Sequence, residues 1–257
     1  MRSYTETSKN TVKIASHIQN DLGVRGCCCN HGKSIRDFEV SEVMMDTRTK
    51  EAIRYLGYGR HAIDERTLEL IQDSLRELEQ IADERFVYRI FEIKEQNEKE
   101  LTIENIKIQS KNLSKNLKGC KNVVVFGATL GTRVDLLMKK YSVSHMTKAV
   151  VLQACATAVL EEYCDKIQKQ IALGLDTGLY LRPRFSPGYG DFSILHQKDM
   201  LQMLEAPKKI GLTLTEGYML TPTKSVTAVM GISKEAKDCS IKGCEACAKK
   251  DCIYRRS

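Results

Sequence analysis

Two stretches of this sequence carry side chains whose types and spacing can do chemistry. The first is Arg182-Pro-Arg-Phe-Ser-Pro-Gly-Tyr-Gly-Asp191. A guanidinium such as that of Arg184 can pair bidentately with a carboxylate. Pro187-Gly188 reads as a turn, and Gly188 and Gly190 let the backbone approach another group closely. Tyr189 offers a flat ring face to another ring or to a cation. On those residues alone, a surface turn with an incidental arginine explains the pattern at least as well. The second stretch is the tail from Cys239 to Cys252, with spacing C-x4-C-x2-C-x4-C. Its inner C-x2-C suits tetrahedral thiolate ligation. Cys239, Cys244, Cys247 and Cys252 are therefore expected to bind a metal. A structural zinc and an iron–sulfur cluster both fit the spacing, and a cluster would suit an electron-delivering role.

Other candidates are weaker. Cys27-Cys28-Cys29-Asn30-His31 is conspicuous, but three adjacent cysteines cannot all face one metal without contortion. It reads as part of a poorly ordered extension. The five histidines, His17, His31, His61, His145 and His196, show no ligand spacing. Gly127-Ala-Thr-Leu-Gly131 follows a strand pattern but has neither a P-loop Gly-Lys-Ser/Thr nor G-x-G-x-x-G. It reads as close strand-to-helix packing that can line a cleft.

The composition bounds the class. The chain has 257 residues, 42% hydrophobic and 28% charged, enough for one large core or two smaller ones. The net charge of +7 is spread out, aromatics make up 6% and Trp is absent. That argues against a nucleic-acid binder, which concentrates basic and aromatic residues, and is compatible with an acidic electron-transfer partner. The start has no signal-peptide pattern, and the most apolar stretch, Ala149 to Leu160, is too short to span a bilayer. A soluble, cytoplasmic protein is expected. Thiols stay reduced there, so the ten cysteines point to metal or redox chemistry rather than to a disulfide framework.

The elements that would position these residues can be read from periodicity. Thr47 to Leu56 predicts a helix stopping at Gly57. Asp64 is an N-cap for a helix carrying Leu68, Ile71, Leu75, Leu78 and Ala82. Phe86 to Ile93 predicts a strand, and the polar stretch from Glu92 to Lys118 a surface strand or helix. Lys121 to Phe126 is a buried strand, followed by a helix from Thr132 to about Tyr141. A long helix from about Met146 to Leu173, apolar nearly all round, is expected to be central. Another helix runs from about Gln197 to Ile210. Leu212 to Leu220 and Val226 to Ile232 read as two strands of a hairpin joined by Thr221 to Ser225. The order implies an α+β fold, with a mixed or antiparallel sheet packed with helices and a small cysteine-rich C-terminal tail. The expected division is a poorly ordered extension (1–40), a helical region (41–117), a ligand-binding domain (118–238) and the metal-binding tail (239–257).

Several motifs in order resemble one family. Arg184-Phe-Ser-Pro-Gly-Tyr189 resembles the Arg-Pro-x-Pro-Gly-Tyr signature of the cobalamin-dependent methionine synthase activation domain, which binds S-adenosylmethionine (AdoMet). The stretch from Gly211 to Ile232 is similar to that family's strand-loop-strand, with Leu-Thr-Glu, a Pro turn and Ser-Val. Lys148-Ala149 and Glu161-Glu-Tyr163 fall where its long helix would place them. The resemblance runs from roughly Val123 to Ile232.

The resemblance implies site residues. Arg184 matches the arginine that holds the AdoMet carboxylate, Ser186 and Gly188 match positions whose backbone contacts the ligand, and Tyr189 matches the aromatic after the glycine. The family's acidic ligand on the long helix falls at Ala158, with Glu161 or Glu162 as a replacement one turn on. The family's tandem tyrosines after the hairpin are missing. The resemblance also implies a function in the methionine synthase methyltransferase system: reductive reactivation of the synthase's cobalamin, with AdoMet supplying the trapping methyl group. The chain lacks the Asp-x-His-x-x-Gly cobalamin motif and resembles a standalone activation domain. Cobalamin would then ride on a separate corrinoid-binding methionine synthase chain, with a flavodoxin- or ferredoxin-like protein as electron donor. The other reading is a metal module, iron–sulfur or zinc, that transfers electrons to a corrinoid methyltransferase.

Overall fold

The structure, a computed structural model, describes residues 45–58 and 63–235. The expected extension 1–40 with Cys27, Cys28 and Cys29, and the tail with Cys239, Cys244, Cys247 and Cys252, lie outside the described residues. In chain order the elements are α1 (Thr47–Tyr55), α2 (Glu65–Ile81), β1 (Arg85–Gln96), β2 (Glu100–Ile103), β3 (Ile106–Gln109), α3 (Lys111–Asn116), β4 (Asn122–Thr129), α4 (Thr132–Ser144), α5 (Met146–Leu173), β5 (Tyr180–Leu181), α6 (His196–Leu204), α7 (Ala206–Ile210), β6 (Thr213–Leu214), β7 (Leu220–Thr221) and β8 (Ser225–Ser233).

Local chemistry sets the helix boundaries. The Asp46 carboxylate accepts from the Thr49 amide at 3.0 Å and opens α1, and Asp64 accepts from the Thr67 amide at 2.9 Å and opens α2. Each satisfies a donor that a helix start leaves without a partner. Ile71, Leu75 and Leu78 form the buried stripe of α2. Helix α5 buries nine of the twelve side chains from Ala149 to Leu160, packs against α1, α2 and α4, and stops at Gly174. This is the central helix that the all-round apolar pattern predicts.

Six strands form one sheet in the order β3-β2-β1-β4-β8-β5, and every neighbouring pair is antiparallel. The fold is α+β. Strand β4 is apolar without a break because both its faces are covered. Val124, Phe126 and Ala128 join the core beneath α1, α2, α4 and α5. Val123 and Val125 join a second core, on the other face, with residues of α3, α6 and α7.

Three expectations change. Residues 41–117 are not simply helical, since they contribute β1, β2 and β3 to the same sheet as β4. The helix expected over 197–210 is broken: Glu205 adopts a left-handed conformation (φ 53) and Pro207, which has no amide to donate, opens the separate α7. Residues 212–220 and 226–232 are not partners. Instead β6 pairs with β7 around the turn at Thr215 to Met219, while β8 pairs with β4 and β5. Gly127 lies within β4, where a Cβ would come 3.2 Å from a Leu204 methyl of α6, and Gly131 (φ +82) is the N-cap of α4, packed against Asp83, so the close strand-to-helix packing expected of this stretch is present.

The loop that follows β5 is tied down by Asp191. Its carboxylate accepts from Ser110 Oγ at 2.5 Å and from the amides of Lys111 and Asn112 at 2.7 and 3.1 Å, at the start of α3. The Ser110 hydrogen bond is the main reason that the Asp191 pKa lies below the ordinary carboxylate value. Its contribution is therefore complete above the unfolded-state pKa of about 3.9 and is lost as pH falls through the lower folded value. Urea midpoints measured between about pH 5 and about pH 2.5 should fall less steeply for Asp191→Asn than for the parent protein.

Gly231 sets a second close approach. A Cβ there would lie 2.6 Å from Cys120 Sγ and 2.9 Å from a Leu117 methyl, both in the core. Gly231→Ala should cost about 1–3 kcal/mol by denaturant titration. Adding Cys120→Ala, which removes the tighter contact, should recover part of that loss.

Candidate functional site

The outer face of α5 presents Glu161, Asp165, Gln168 and Ala172, at i, i+4, i+7 and i+11, so the four share one side of the helix. Opposite them runs the irregular segment 179–189. Between the two lies an open cavity of about 1280 Å³. Leu179, Leu181, Pro183, Phe185 and Val226 supply apolar walls, and Tyr180 and Tyr189 add aromatic rings.

Arg184 holds the polar end. Its Nη2 donates to Asp165 Oδ1 at 2.7 Å and to Glu161 Oε2 at 3.1 Å, and its Nη1 donates to Gln168 Oε1 at 2.9 Å. The Arg184 side chain is 18% exposed. Burial alone would lower its pKa, but the Asp165 hydrogen bond and the neighbouring negative charges outweigh it and hold the guanidinium above its ordinary value. The cation is permanent at any physiological pH and is aimed before a ligand arrives.

The backbone around Arg184 is fixed from both sides by β8. The Arg182 amide donates to the Gly231 carbonyl at 2.8 Å, and Phe185 and Val229 exchange hydrogen bonds of 3.0 and 2.9 Å. Beyond them the Phe185 ring stacks on Phe192, with centroids 6.3 Å apart, and sits 6.4 Å from the ring of Tyr189. Tyr189 is 66% exposed.

Of the residues singled out by sequence, Arg184, Ser186 and Tyr189 line this cavity. Gly188 does not. It shapes the turn instead, with φ +94 and its amide spent on the Phe192 carbonyl at 2.8 Å. The two glutamates separate: Glu161 lines the cavity, whereas Glu162 faces the other way and pairs with Arg48. Ala158 is buried in the helical core. Gly127 and Gly131 are not among the lining residues. Asp165 and Gln168 were missed from sequence, although their spacing from Glu161 was visible.

Cys120, Cys155 and Cys164 are buried, Cys155 and Cys164 on α5 within the core around that helix. Burial pushes the thiols of Cys155 and Cys164 up to about 12, which keeps them protonated and poor as ligands or nucleophiles. Among the described residues, no group of three or more His, Cys, Asp or Glu side chains is placed to hold a metal ion. No described helix is long and apolar enough to cross a membrane.

A solved structure described as "Crystal Structure of the MetH Reactivation Domain bound to AdoHcy" shares the fold with a TM-score of 0.52 at 16% identity, over 74% of this chain and 77% of that one. No curated protein matches the sequence. The family described as "Vitamin B12 dependent methionine synthase, activation domain" matches residues 68–257, a span that takes in most of α2, the whole sheet and the cavity. The chain belongs to that family of methionine synthase activation domains.

Proposed function

We propose that this chain binds S-adenosylmethionine in the cavity between α5 and segment 179–189, and that it serves the reductive reactivation of cobalamin carried by a separate, corrinoid-binding methionine synthase chain. The observation that carries the reading is the Arg184 guanidinium, pre-aimed by Asp165, Glu161 and Gln168 at the end of a largely apolar cavity. A carboxylate entering that end can take two parallel N–H donors from one guanidinium. Asp165 and Glu161 then stand beside the ligand's ammonium. The apolar walls and the Tyr189 ring suit a nucleoside, and the backbone at Ser186 has room to meet it. Family membership and the AdoHcy carried by the related reactivation domain support the same ligand.

In this reading the side chains bind and orient, and none acts as a general base. Bound here, S-adenosylmethionine supplies the methyl group that traps the partner's corrinoid once it has been reduced. The electron comes from a separate donor of flavodoxin or ferredoxin type. Isothermal titration should show saturable binding of S-adenosylmethionine, weakened at least about tenfold in Arg184→Ala, the loss expected when a charged hydrogen-bonding partner is removed. An unchanged affinity in that variant would remove Arg184 from the site.

The spacing of Cys239, Cys244, Cys247 and Cys252 carries a separate reading. We infer that these four thiolates hold one metal centre, zinc or iron–sulfur, and a cluster would make the tail an electron relay to the corrinoid. Elemental analysis and a visible spectrum of anaerobically purified protein should show either stoichiometric zinc in a colourless sample or iron with charge-transfer absorption. Replacement of Cys244 and Cys247 by Ser should abolish the metal content. Metal retained in that variant would refute the assignment.

A further inference from the structure

One buried charge in this fold lacks a counter-ion. Among the described residues, Arg182, 8% exposed, is the one charged residue that is buried. Arg48, Arg76, Arg85 and Arg184 are less buried, and each pairs with a carboxylate. Arg182 has no carboxylate partner among the described residues. Its Nη2 donates to Ser233 Oγ at 3.4 Å, long for a charge-assisted hydrogen bond, and its Nε has no partner. A buried guanidinium left in this state is costly, so an anion is expected to meet it.

The position of the guanidinium narrows the choice of anion. Ser233 is the last residue of β8, and the Glu235 amide donates back to Ser233 Oγ at 3.1 Å. Arg182 therefore reaches the point at which the chain leaves the sheet for the cysteine-rich tail. Cys239 follows Ser233 by six residues, which keeps it within about 22 Å of that serine even along an extended chain. Gly231 makes room beside the guanidinium: a Cβ there would lie 3.2 Å from Arg182 Cγ and 2.6 Å from Cys120 Sγ. Burial pushes the Cys120 thiol up, and the neighbouring Arg182 offsets only part of that push. Cys120 is thus neutral at physiological pH and is not the missing anion.

Resting on the reading of Cys239, Cys244, Cys247 and Cys252 as one metal centre, we propose that this centre docks against Arg182, which donates its free N–H groups to the thiolates. Four thiolates around a divalent zinc leave two negative charges uncancelled, and an iron–sulfur cluster held by four thiolates is likewise anionic. Hydrogen bonds to ligating atoms orient such a centre and strengthen its hold on the metal. Docking meets two needs together, since the guanidinium gains an anion and the sulfurs gain donors. Arg182 stands two residues before Arg184 on the segment that β8 anchors, so the docked centre shares the scaffold of the candidate ligand site.

The test is competition by a chelator for the metal of the full chain, run beside urea unfolding. Arg182→Met keeps the bulk of the side chain and removes its charge, a change that a fold tolerates when the charge is unmatched. It should weaken metal binding at least about tenfold, and Arg182→Lys should recover part of that loss. Cys244→Ser/Cys247→Ser, which removes the centre, should lower the urea midpoint of the parent chain and lower it much less in the Arg182→Met background, because the two changes break one interaction. Unchanged metal affinity in Arg182→Met, or midpoint losses that simply add, overturn the proposal while leaving the metal centre in place. Loss of the same coupling in Asp238→Asn, with the metal still bound, overturns it in favour of a carboxylate partner. A parent chain that holds no metal overturns the metal reading and this inference with it.

Discussion

The eight-residue antiparallel ladder between β4 and β8 is the constraint on which the rest of the molecule depends. It gives the sheet two apolar faces at once. Val124, Phe126, Ala128, Ala228 and Met230 meet the α5 layer, while Val123, Val125 and Val229 meet the layer built by α3, α6 and α7. The same strand β8 then uses its other edge to hold β5, Arg182 and Phe185. The candidate site therefore needs no domain of its own. Its loop hangs from one edge of β8, and its helical wall is a helix seated on the face of that strand. A displacement of β8 would move Arg184 relative to Asp165 and Glu161, because this strand anchors the loop by its edge and α5 by its face.

The electrostatics of the site follow from that placement. Setting a guanidinium in a groove where it is only 18% exposed costs hydration, and an unpaired charge at such a position would be destabilising. Three acceptors on consecutive turns of α5 offset the cost and fix the direction of the side chain. The arrangement also favours one kind of incoming group over others. A neutral or cationic head group would have to break good charge-assisted hydrogen bonds without replacing them, whereas a carboxylate replaces them in kind.

Much of this was legible in the sequence where the signal was local. The limits of α5, the Asp64 cap and the buried β4 run are each written within a few residues, and the structure follows them. Arg184, Ser186 and Tyr189 could be singled out because they share one short motif. What could not be read is pairing across the chain. Nothing near Ser225–Ser233 says that it pairs with Asn122–Thr129 rather than with the adjacent 212–220, and the apparent hairpin resolved into a small β6-β7 ribbon and a separate strand. The same holds for the site. Asp165 and Gln168 lie on the visible polar stripe of α5, but only the fold shows that Arg184 comes to that stripe, sixteen residues beyond Gln168. The break at Glu205 had a local signal in Pro207, outweighed by the apolar periodicity on either side.

The position of the acidic residues shows how packing limits where such a site can be built. The family resemblance places an acid at Ala158, yet Ala158 is 2% exposed and lies in the core beneath α1 and α2. An ionised carboxylate there would be unpaired and desolvated. On a helix, the nearest positions that face outward toward segment 179–189 are those of the stripe that runs through Thr157, Glu161, Asp165 and Gln168. Glu162, one residue from Glu161, is rotated by about 100° and is spent on Arg48 from α1, away from the cavity. Glu161 and Asp165 are the carboxylates that this stripe brings to the cavity and to Arg184. The second carboxylate of that pair then follows from the repeat of the stripe itself.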